Sequence, residues 1–199
     1  MIKCIIFDWG GVLIDNPKEE LLEYCANYLK TDKEALDNEF RKYSAKFQRG
    51  EISEDEVWKI VCTKLNIEKP QIKSLWNEAV KKVFRSREEV FDLAKSLKEK
   101  GYKVGFLSNT EIPAMEYFLE KQYDHCFDAV LFSCTEGKAK PEKEIYLTIT
   151  EKLQVEPHEI VFIDDKKEFI EGAKKAGLNG IVFETIEQIK EGLREFSVI

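Results

Sequence analysis

The feature that most constrains the fold of this chain is a set of short apolar runs in which hydrophobic residues follow one another without polar alternation. Such runs are typical of strands that are buried on both faces of a parallel sheet. Patterns with helical spacing separate the later runs, so strand and helix alternate from about residue 85 onward. This alternation predicts a doubly wound α/β core with a parallel sheet. The predicted strands are residues 3–7, 103–107, 129–132, 160–163 and 180–183.

A different pattern fills most of the stretch between the first two predicted strands, which contains no good strand candidate. Amphipathic helices are predicted there, and Ser53 with Glu56 three residues later marks the start of one as a capping box. We therefore predict a core domain of residues 1–15 and 87–199, with a helical cap domain of residues 16–86 inserted after strand 1. The predicted helices are 19–29, 33–47, 53–65 and 70–84 in the insertion, and 88–100, 113–121, 142–153 and 167–176 in the core.

The composition narrows the classes of partner. The formal net charge is −7 and no stretch is rich in Lys and Arg, so nucleic acid is not expected as the main partner. No apolar run approaches the roughly 18 residues that cross a bilayer, and no secretory signal pattern precedes the first strand. The five cysteines are scattered without CxxC spacing, which predicts reduced and mostly buried thiols. We expect a cytoplasmic protein without a membrane partner, as a monomer or weak homodimer.

Polar side chains follow the predicted strands at the points where the strands end. The carboxyl ends of parallel strands meet at one edge of a sheet, where ligands bind in open α/β folds. Two acidic strand ends, a hydroxyl group and a lysine should therefore converge. The residues are Asp8, Gly10 and Gly11 after the first strand, Ser108, Asn109 and Thr110 after the second, Lys138 and Lys140 after the third, and Asp164 and Asp165 after the fourth.

These residue types suit phosphoryl transfer. Carboxylates from different strands bind Mg²⁺, which prefers oxygen ligands and keeps several waters. A carboxylate beside the metal can attack phosphorus and form an aspartyl-phosphate. A hydroxyl and an ammonium group can then hold the phosphoryl oxygens and offset their charge, while glycines let the backbone approach them closely. A small phosphorylated metabolite is the expected partner.

Four segments in this order resemble the four motifs of the haloacid dehalogenase-like hydrolase superfamily, most of whose members are phosphatases. They are FDWGGVLID from Phe7, LSNT from Leu107, KPEKEIY from Lys140, and FIDDKKEFIEGAKKAG from Phe162. The helical insertion lies where this family places its cap, and RGEISEDEVW from Arg49 also resembles cap sequences of the family. The resemblance implies a Rossmann-like core and a Mg²⁺-dependent hydrolase.

The resemblance also implies metal ligands. Asp8 would be both the nucleophile and a ligand, the carbonyl group of Gly10 a second ligand, and Asp164 a third. Asp165 and Glu168 would lie in the outer shell of the metal, although Glu168 is equally well explained as a solvated helix residue.

Further residues would bind the phosphoryl group, by the same resemblance. Ser108 and the backbone of Asn109 would contact its oxygens, and Lys140, favoured over Lys138 by the proline that follows it, would neutralise its charge. Trp9 and Gly10 would complete the phosphate site, although core packing is the commoner use of an indole ring.

One departure from the family pattern concerns the second aspartate that most of its phosphatases carry two positions after the nucleophile, because here that position is Gly10. The usual general acid–base is absent, and such a group typically contributes about 10²–10⁴ in rate. Three alternatives follow. The chain is a phosphatase of the sugar 1-phosphate type, in which an acidic leaving group needs less protonation, or a 2-haloacid dehalogenase, or a non-catalytic phosphate- or partner-binding module. Haloacid dehalogenases lack the acidic metal ligands of the fourth motif, which Asp164 and Asp165 retain here.

The cap is expected to close over the site and select the substrate. Hinges are predicted near residues 15–17 and 84–88, where the chain leaves and rejoins the core. The candidate specificity residues are Lys46, Gln48, Arg49 and Trp58.

Overall fold

A computed structural model describes residues 1–199, and a parallel sheet of five strands in the order β3-β2-β1-β4-β5 forms its centre. Every predicted strand is present within one residue at either end, so the predicted doubly wound α/β fold is confirmed. The strands are β1 (Cys4–Phe7), β2 (Lys103–Ser108), β3 (Ala129–Phe132), β4 (Ile160–Asp164) and β5 (Asn179–Val182).

Helices cover both faces of this sheet. Ile5 and Phe7 of β1 contribute to one hydrophobic cluster and Cys4 and Ile6 to another, as expected for alternate side chains of a strand buried on both sides. The helices are α1 (Lys18–Leu29), α2 (Lys33–Gln48), α3 (Glu54–Leu65), α4 (Leu75–Val83), α5 (Glu88–Glu99), α6 (Ile112–Glu120), α7 (Ser133–Glu136), α8 (Lys143–Leu153), α9 (Lys167–Lys175) and α10 (Ile186–Glu195).

Four helices, α1 to α4, lie between β1 and α5, where the helical insertion was predicted. The predicted capping box is present at α3, because the amide of Glu56 donates to Ser53 Oγ and the amide of Ser53 donates to Glu56 Oε2. The prediction for α4 was wrong at its start, which is Leu75 rather than residue 70. Glu54 fixes that start, because it accepts hydrogen bonds from Ser74 Oγ (2.6 Å) and from the amide of Trp76 (2.7 Å).

The two connections of the insertion run side by side at the edge of the sheet. Ile14 and Ser86 form an antiparallel bridge, and the amide of Arg87 donates to the carbonyl of Leu13 at 2.8 Å. The side chain of Arg87 then binds Asp15 Oδ1 (3.0 Å) and the carbonyl of Gly11 (2.7 Å). Both crossings are thus joined to the loop that follows β1.

The cysteines agree with the prediction of reduced thiols. None forms a disulfide; Cys4, Cys25, Cys62 and Cys134 are buried, and Cys126 is half-buried. No helix has the length and apolar content that a membrane span requires.

Candidate active site

The centre of the site is a buried lysine between two carboxylates. Asp8 directly follows β1 and Asp164 ends the neighbouring β4, so strand pairing places them side by side. Lys140 Nζ donates to Asp8 Oδ1 at 2.7 Å, to Asp164 Oδ2 at 2.6 Å and to the carbonyl of Leu107 at 3.2 Å. Asp8, Lys140 and Asp164 are all buried. The structure therefore brings together residues from all four motif segments around one ammonium group.

Asn109 holds the backbone of this lysine in place. Its side-chain amide donates to the carbonyl of Lys140 at 2.9 Å, and its Oδ1 accepts from the amide of Lys140 at 2.8 Å. Lys138, the competing candidate for the cationic role, is exposed and forms no ion pair. The structure thus places Lys140, and not Lys138, beside Asp8.

Burial and neighbouring charge shift the pKa values of the acidic groups in this site. Burial, reinforced by the charge of Asp164, raises the pKa of Asp8 to about 7, although Lys140 opposes the shift. Burial disfavours the charged form of Lys140, but Asp164 and Asp8 outweigh it, so the pKa of Lys140 is raised. Burial and Asp164 also raise the pKa of Asp165. The site contains more acidic groups than one lysine can neutralise.

This surplus of negative charge suits a divalent cation. Carboxylate oxygens of Asp8, Asp164 and Asp165 lie within 4.8 Å of one another. Two oxygens on opposite sides of one Mg²⁺ lie roughly 4.2 Å apart, so the spacing is close to that of a shared ion. Asp165 Oδ1 is buried without a hydrogen-bond partner, and the carbonyl of Gly10 accepts no hydrogen bond. The donor set consists of oxygen alone, which fits Mg²⁺.

Several donors beside Asp8 are free for a ligand. The amides of Gly10 and Asn109 donate to no backbone carbonyl, and the hydroxyl of Ser108 forms no hydrogen bond within the protein. The indole of Trp9, by contrast, packs edge-on against Phe84 and Phe118 at centroid distances of 5.0 and 5.2 Å. Its side chain belongs to the core, and its Nε1 is buried without a hydrogen-bond partner.

The two glycines after Trp9 differ in what a side chain would meet. Gly11 has a φ of +87°, and a Cβ added there would collide with the carboxylate of Asp165, so the turn requires glycine. A Cβ added at Gly10 would meet no atom within 4 Å. The position of the missing aspartate is therefore open space.

A pocket of about 420 Å³ lies above these residues, between the sheet edge and the inserted helices. Gln48 lines it, as the sequence suggested, but the other three candidate specificity residues do not. Lys46 is exposed, Arg49 forms an ion pair with Glu142, and Trp58 packs against Phe40 inside the insertion. Three polar lining residues of α2 were missed, although their helical spacing with Gln48 could have revealed them. They are Asp37, Arg41 and Ser44.

Comparison with known proteins identifies the family to which this chain belongs. The model of the haloacid dehalogenase-like hydrolases matches residues 2–177. The chain is a haloacid dehalogenase-like hydrolase. The predicted family and the prediction of a hydrolytic enzyme are thereby confirmed.

Similar proteins include phosphatases that act on phosphorylated small molecules. The phosphorylated carbohydrates phosphatase of Thermotoga maritima is 26% identical, with 96% of this chain and 88% of that protein covered. The D-ribitol-5-phosphate phosphatase of Bacteroides thetaiotaomicron is 27% identical, with 94% and 92% covered. A solved HAD family enzyme from Bacteroides thetaiotaomicron, in complex with magnesium and inorganic phosphate, superimposes with a TM-score of 0.76 at 25% identity, covering 92% of this chain and 95% of that one.

In this hydrolase the inserted helices contact the core on two sides of the pocket. On one side Trp76 Nε1 donates to Glu111 Oε2 at 3.2 Å, and Asn77 Nδ2 donates to the carbonyl of Pro113 at 2.8 Å. On the other side Ser133 Oγ donates to the carbonyl of Gln48 at 2.5 Å. Burial raises the pKa of Glu111, which also lines the pocket. The insertion is closed over Asp8.

Proposed function

We propose that this hydrolase is a Mg²⁺-dependent phosphatase that acts on a small phosphorylated metabolite through an aspartyl-phosphate on Asp8, with a sugar phosphate as one candidate substrate. The observation that carries the proposal is the buried Lys140 between Asp8 and Asp164, next to donors without protein partners. The phosphatase relatives and the magnesium and phosphate bound to the Bacteroides thetaiotaomicron enzyme support it.

The first chemical step falls to Asp8. Lys140 holds Oδ1, so Oδ2 is left to attack phosphorus, and the bond from phosphorus to the leaving oxygen breaks as the new bond forms. Ser108 and the amides of Gly10 and Asn109 are placed to donate to the phosphoryl oxygens, whose charge Lys140 offsets. Asp8, Asp164 and the carbonyl of Gly10 would hold Mg²⁺, which supplies further positive charge at those oxygens. Asp165 and Glu168 would act from outside this ligand set.

The second step hydrolyses the aspartyl-phosphate, with water attacking phosphorus and the carboxylate of Asp8 leaving. Residues 16–86 would act as the cap and residues 1–15 and 87–199 as the core. Closing the cap would exclude bulk water during the first step. The cap would open by rotation about hinges in the two connections, near residues 15–17 and 84–88, and the alcohol product would then leave.

Gly10 limits which substrates are suitable, because no aspartate at that position protonates the leaving oxygen. An anomeric leaving group is more acidic than an ordinary alcohol and therefore depends less on protonation. A sugar 1-phosphate is thus a substrate that this site could hydrolyse without a second aspartate.

Phosphate release from a panel of sugar phosphates tests the proposal. We expect release that requires Mg²⁺, stops with EDTA and is abolished by Asp8→Asn. Chloride release from 2-chloropropionate that survives EDTA would point to a dehalogenase instead. If the folded protein released neither phosphate nor chloride, the remaining alternative would be a binding module without catalytic activity.

A further inference from the structure

One face of α2 presents polar side chains to the pocket. Asp37, Arg41, Ser44 and Gln48 all line it. Successive helical residues turn by about 100°, so these four positions fall within an arc of roughly 60°. Lys46 lies on the opposite side of the helix and is exposed. The four residues therefore form one polar surface of α2 that lines the pocket above Asp8.

Asp37 is the residue of this face that has a buried side-chain atom without a hydrogen-bond partner. Its Oδ2 accepts from Arg41 Nη2, one helical turn away, whereas its Oδ1 is buried with no hydrogen-bond partner. A buried carboxylate oxygen without a donor is costly, and such groups usually find a partner in a ligand or water. Since Asp37 lines the pocket, a ligand that occupies it can supply the donor.

The surroundings of Asp37 indicate the chemistry of that ligand. The Asp37–Arg41 pair is neutral overall, and Lys140 is already bound to Asp8 and Asp164. The pocket lysines that remain, Lys18 and Lys166, are exposed at its rim. No unpaired cation lies within the pocket to hold a second anionic group, and the free oxygen of Asp37 would repel one.

An apolar wall adjoins this polar face. Phe40 and Trp76 stack with their ring centroids 4.8 Å apart and an interplanar angle of 11°, and both line the pocket together with Leu21 and Leu22. Carbohydrates and polyols present hydroxyl groups beside C–H groups, so they match a pocket that combines hydrogen-bonding side chains with aromatic rings.

We propose that Asp37 is a specificity-determining residue, which accepts hydrogen bonds from hydroxyl groups of a neutral polyol or sugar leaving group. Ser44 and Gln48 bind further hydroxyl groups, and Phe40 and Trp76 contact the carbon skeleton. This inference rests on the proposed phosphatase function and adds the class of leaving group and the residues that select it.

Three phosphate esters with six carbons and a primary phosphate separate the relevant properties: sorbitol 6-phosphate, hexyl phosphate and 6-phosphogluconate. We expect wild-type kcat/KM to be highest for sorbitol 6-phosphate, by about 10-fold or more, because a hydrogen bond to a charged group is strong. Asp37→Asn should raise KM for sorbitol 6-phosphate by about 10-fold, with kcat little changed. It should also raise kcat/KM for 6-phosphogluconate relative to that for sorbitol 6-phosphate, because Arg41 becomes free to bind the carboxylate of 6-phosphogluconate. Hexyl phosphate should be unaffected.

Glu39→Gln is the matched control, because it removes the same charge from the opposite side of α2, where Glu39 pairs with Lys42 at 2.6 Å. We expect it to leave the preference among the three esters unchanged. Three outcomes would overturn the inference but not the phosphatase function. The wild type could prefer hexyl phosphate, Asp37→Asn could affect all three esters equally, or Glu39→Gln could have the same effects as Asp37→Asn.

Calorimetric titration of sorbitol 6-phosphate decides the inference if no ester is hydrolysed, since all three have primary alcohols as leaving groups, which a site without an aspartate at position 10 cannot protonate. With Asp8→Asn as background, adding Asp37→Asn should weaken binding by about 10-fold, and adding Glu39→Gln should not. Equal affinities in the three proteins contradict a role for Asp37.

Discussion

Gly10 is the position at which a single substitution can restore the missing general acid, because a Cβ added there meets no atom within 4 Å. We predict that Gly10→Asp raises kcat on hexyl phosphate by about 10²-fold or more, since a carboxylic acid near the leaving oxygen can protonate the departing alkoxide. With p-nitrophenyl phosphate the rate should change little, because that leaving group departs without a proton. Steady-state release of phosphate from both esters measures the effect.

Gly10→Asn is the control for this change, since it adds a side chain of the same shape that cannot deliver a proton in the same way. If Gly10→Asn and Gly10→Asp behave alike, proton transfer is not what the position lacks. An unchanged rate on hexyl phosphate with Gly10→Asp would contradict the idea that leaving-group acidity compensates for Gly10.

Residues at strand ends could be named from the sequence, whereas among the residues of α2 that line the pocket only Gln48 was named. Asp8, Ser108 and Asp164 follow continuous apolar runs, so their place at the sheet edge depends on strand order and not on side-chain packing. Asp37 is different, because which side of α2 faces the pocket depends on how the inserted helices dock. Lys140 was already favoured over Lys138 by its resemblance to the family motif, and the structure places Lys140 beside Asp8.

The same contrast separates the predicted ends of the strands from those of the helices. The strands were predicted within one residue because both faces are buried and the apolar runs therefore stop where the strands stop. The start of α4 was misplaced because Glu54 of another helix binds Ser74 and the amide of Trp76. Ser74 also caps this helix locally, because its Oγ accepts from the amide of Asn77 at 2.9 Å, and this signal was missed in the sequence.

The contact between α4 and α6 carries a pH-dependent prediction. Burial raises the pKa of Glu111, so this group stabilises the folded state at low pH, and the stabilisation is lost as the pH rises through its folded pKa. Trp76→Phe removes the indole donor to Glu111, leaving the ionised carboxylate less compensated. We predict a loss of about 1–3 kcal/mol in the free energy of unfolding at pH 8 and a smaller loss at pH 5, measured by urea unfolding.

Trp58→Phe is the matched control for Trp76→Phe, because Trp58 Nε1 also donates to a glutamate, Glu54, at 2.8 Å, but within α3. It should lower stability without raising KM, since it leaves the contact between insertion and core intact. Trp76→Phe should raise KM as well. If both substitutions gave the same KM, the bond to Glu111 would have no part in holding the insertion closed.

Arg87 joins three parts of the molecule: the two connections of the insertion and the loop that follows β1. It lies on the returning connection of the insertion, binds Asp15 on the outgoing one, and donates to the carbonyl of Gly11 in the loop of Asp8. The two connections of the insertion and the loop of Asp8 therefore share contacts with one side chain. We predict that Arg87→Ala lowers kcat/KM for sorbitol 6-phosphate by about 10- to 100-fold, because small displacements of reacting groups are costly in rate.

Arg85 provides the control for this prediction, because it is an exposed arginine on the same connection that binds only the nearby carbonyls of Lys82 and Phe84. Arg85→Ala should retain the wild-type kcat/KM. Limited proteolysis adds a second readout, since residues 15–17 and 84–88 should be cleaved faster in Arg87→Ala than in Arg85→Ala. Equal cleavage and equal kcat/KM in the two variants would mean that the crossings are held by their backbone bridge alone, with Arg87 adding nothing to the coupling.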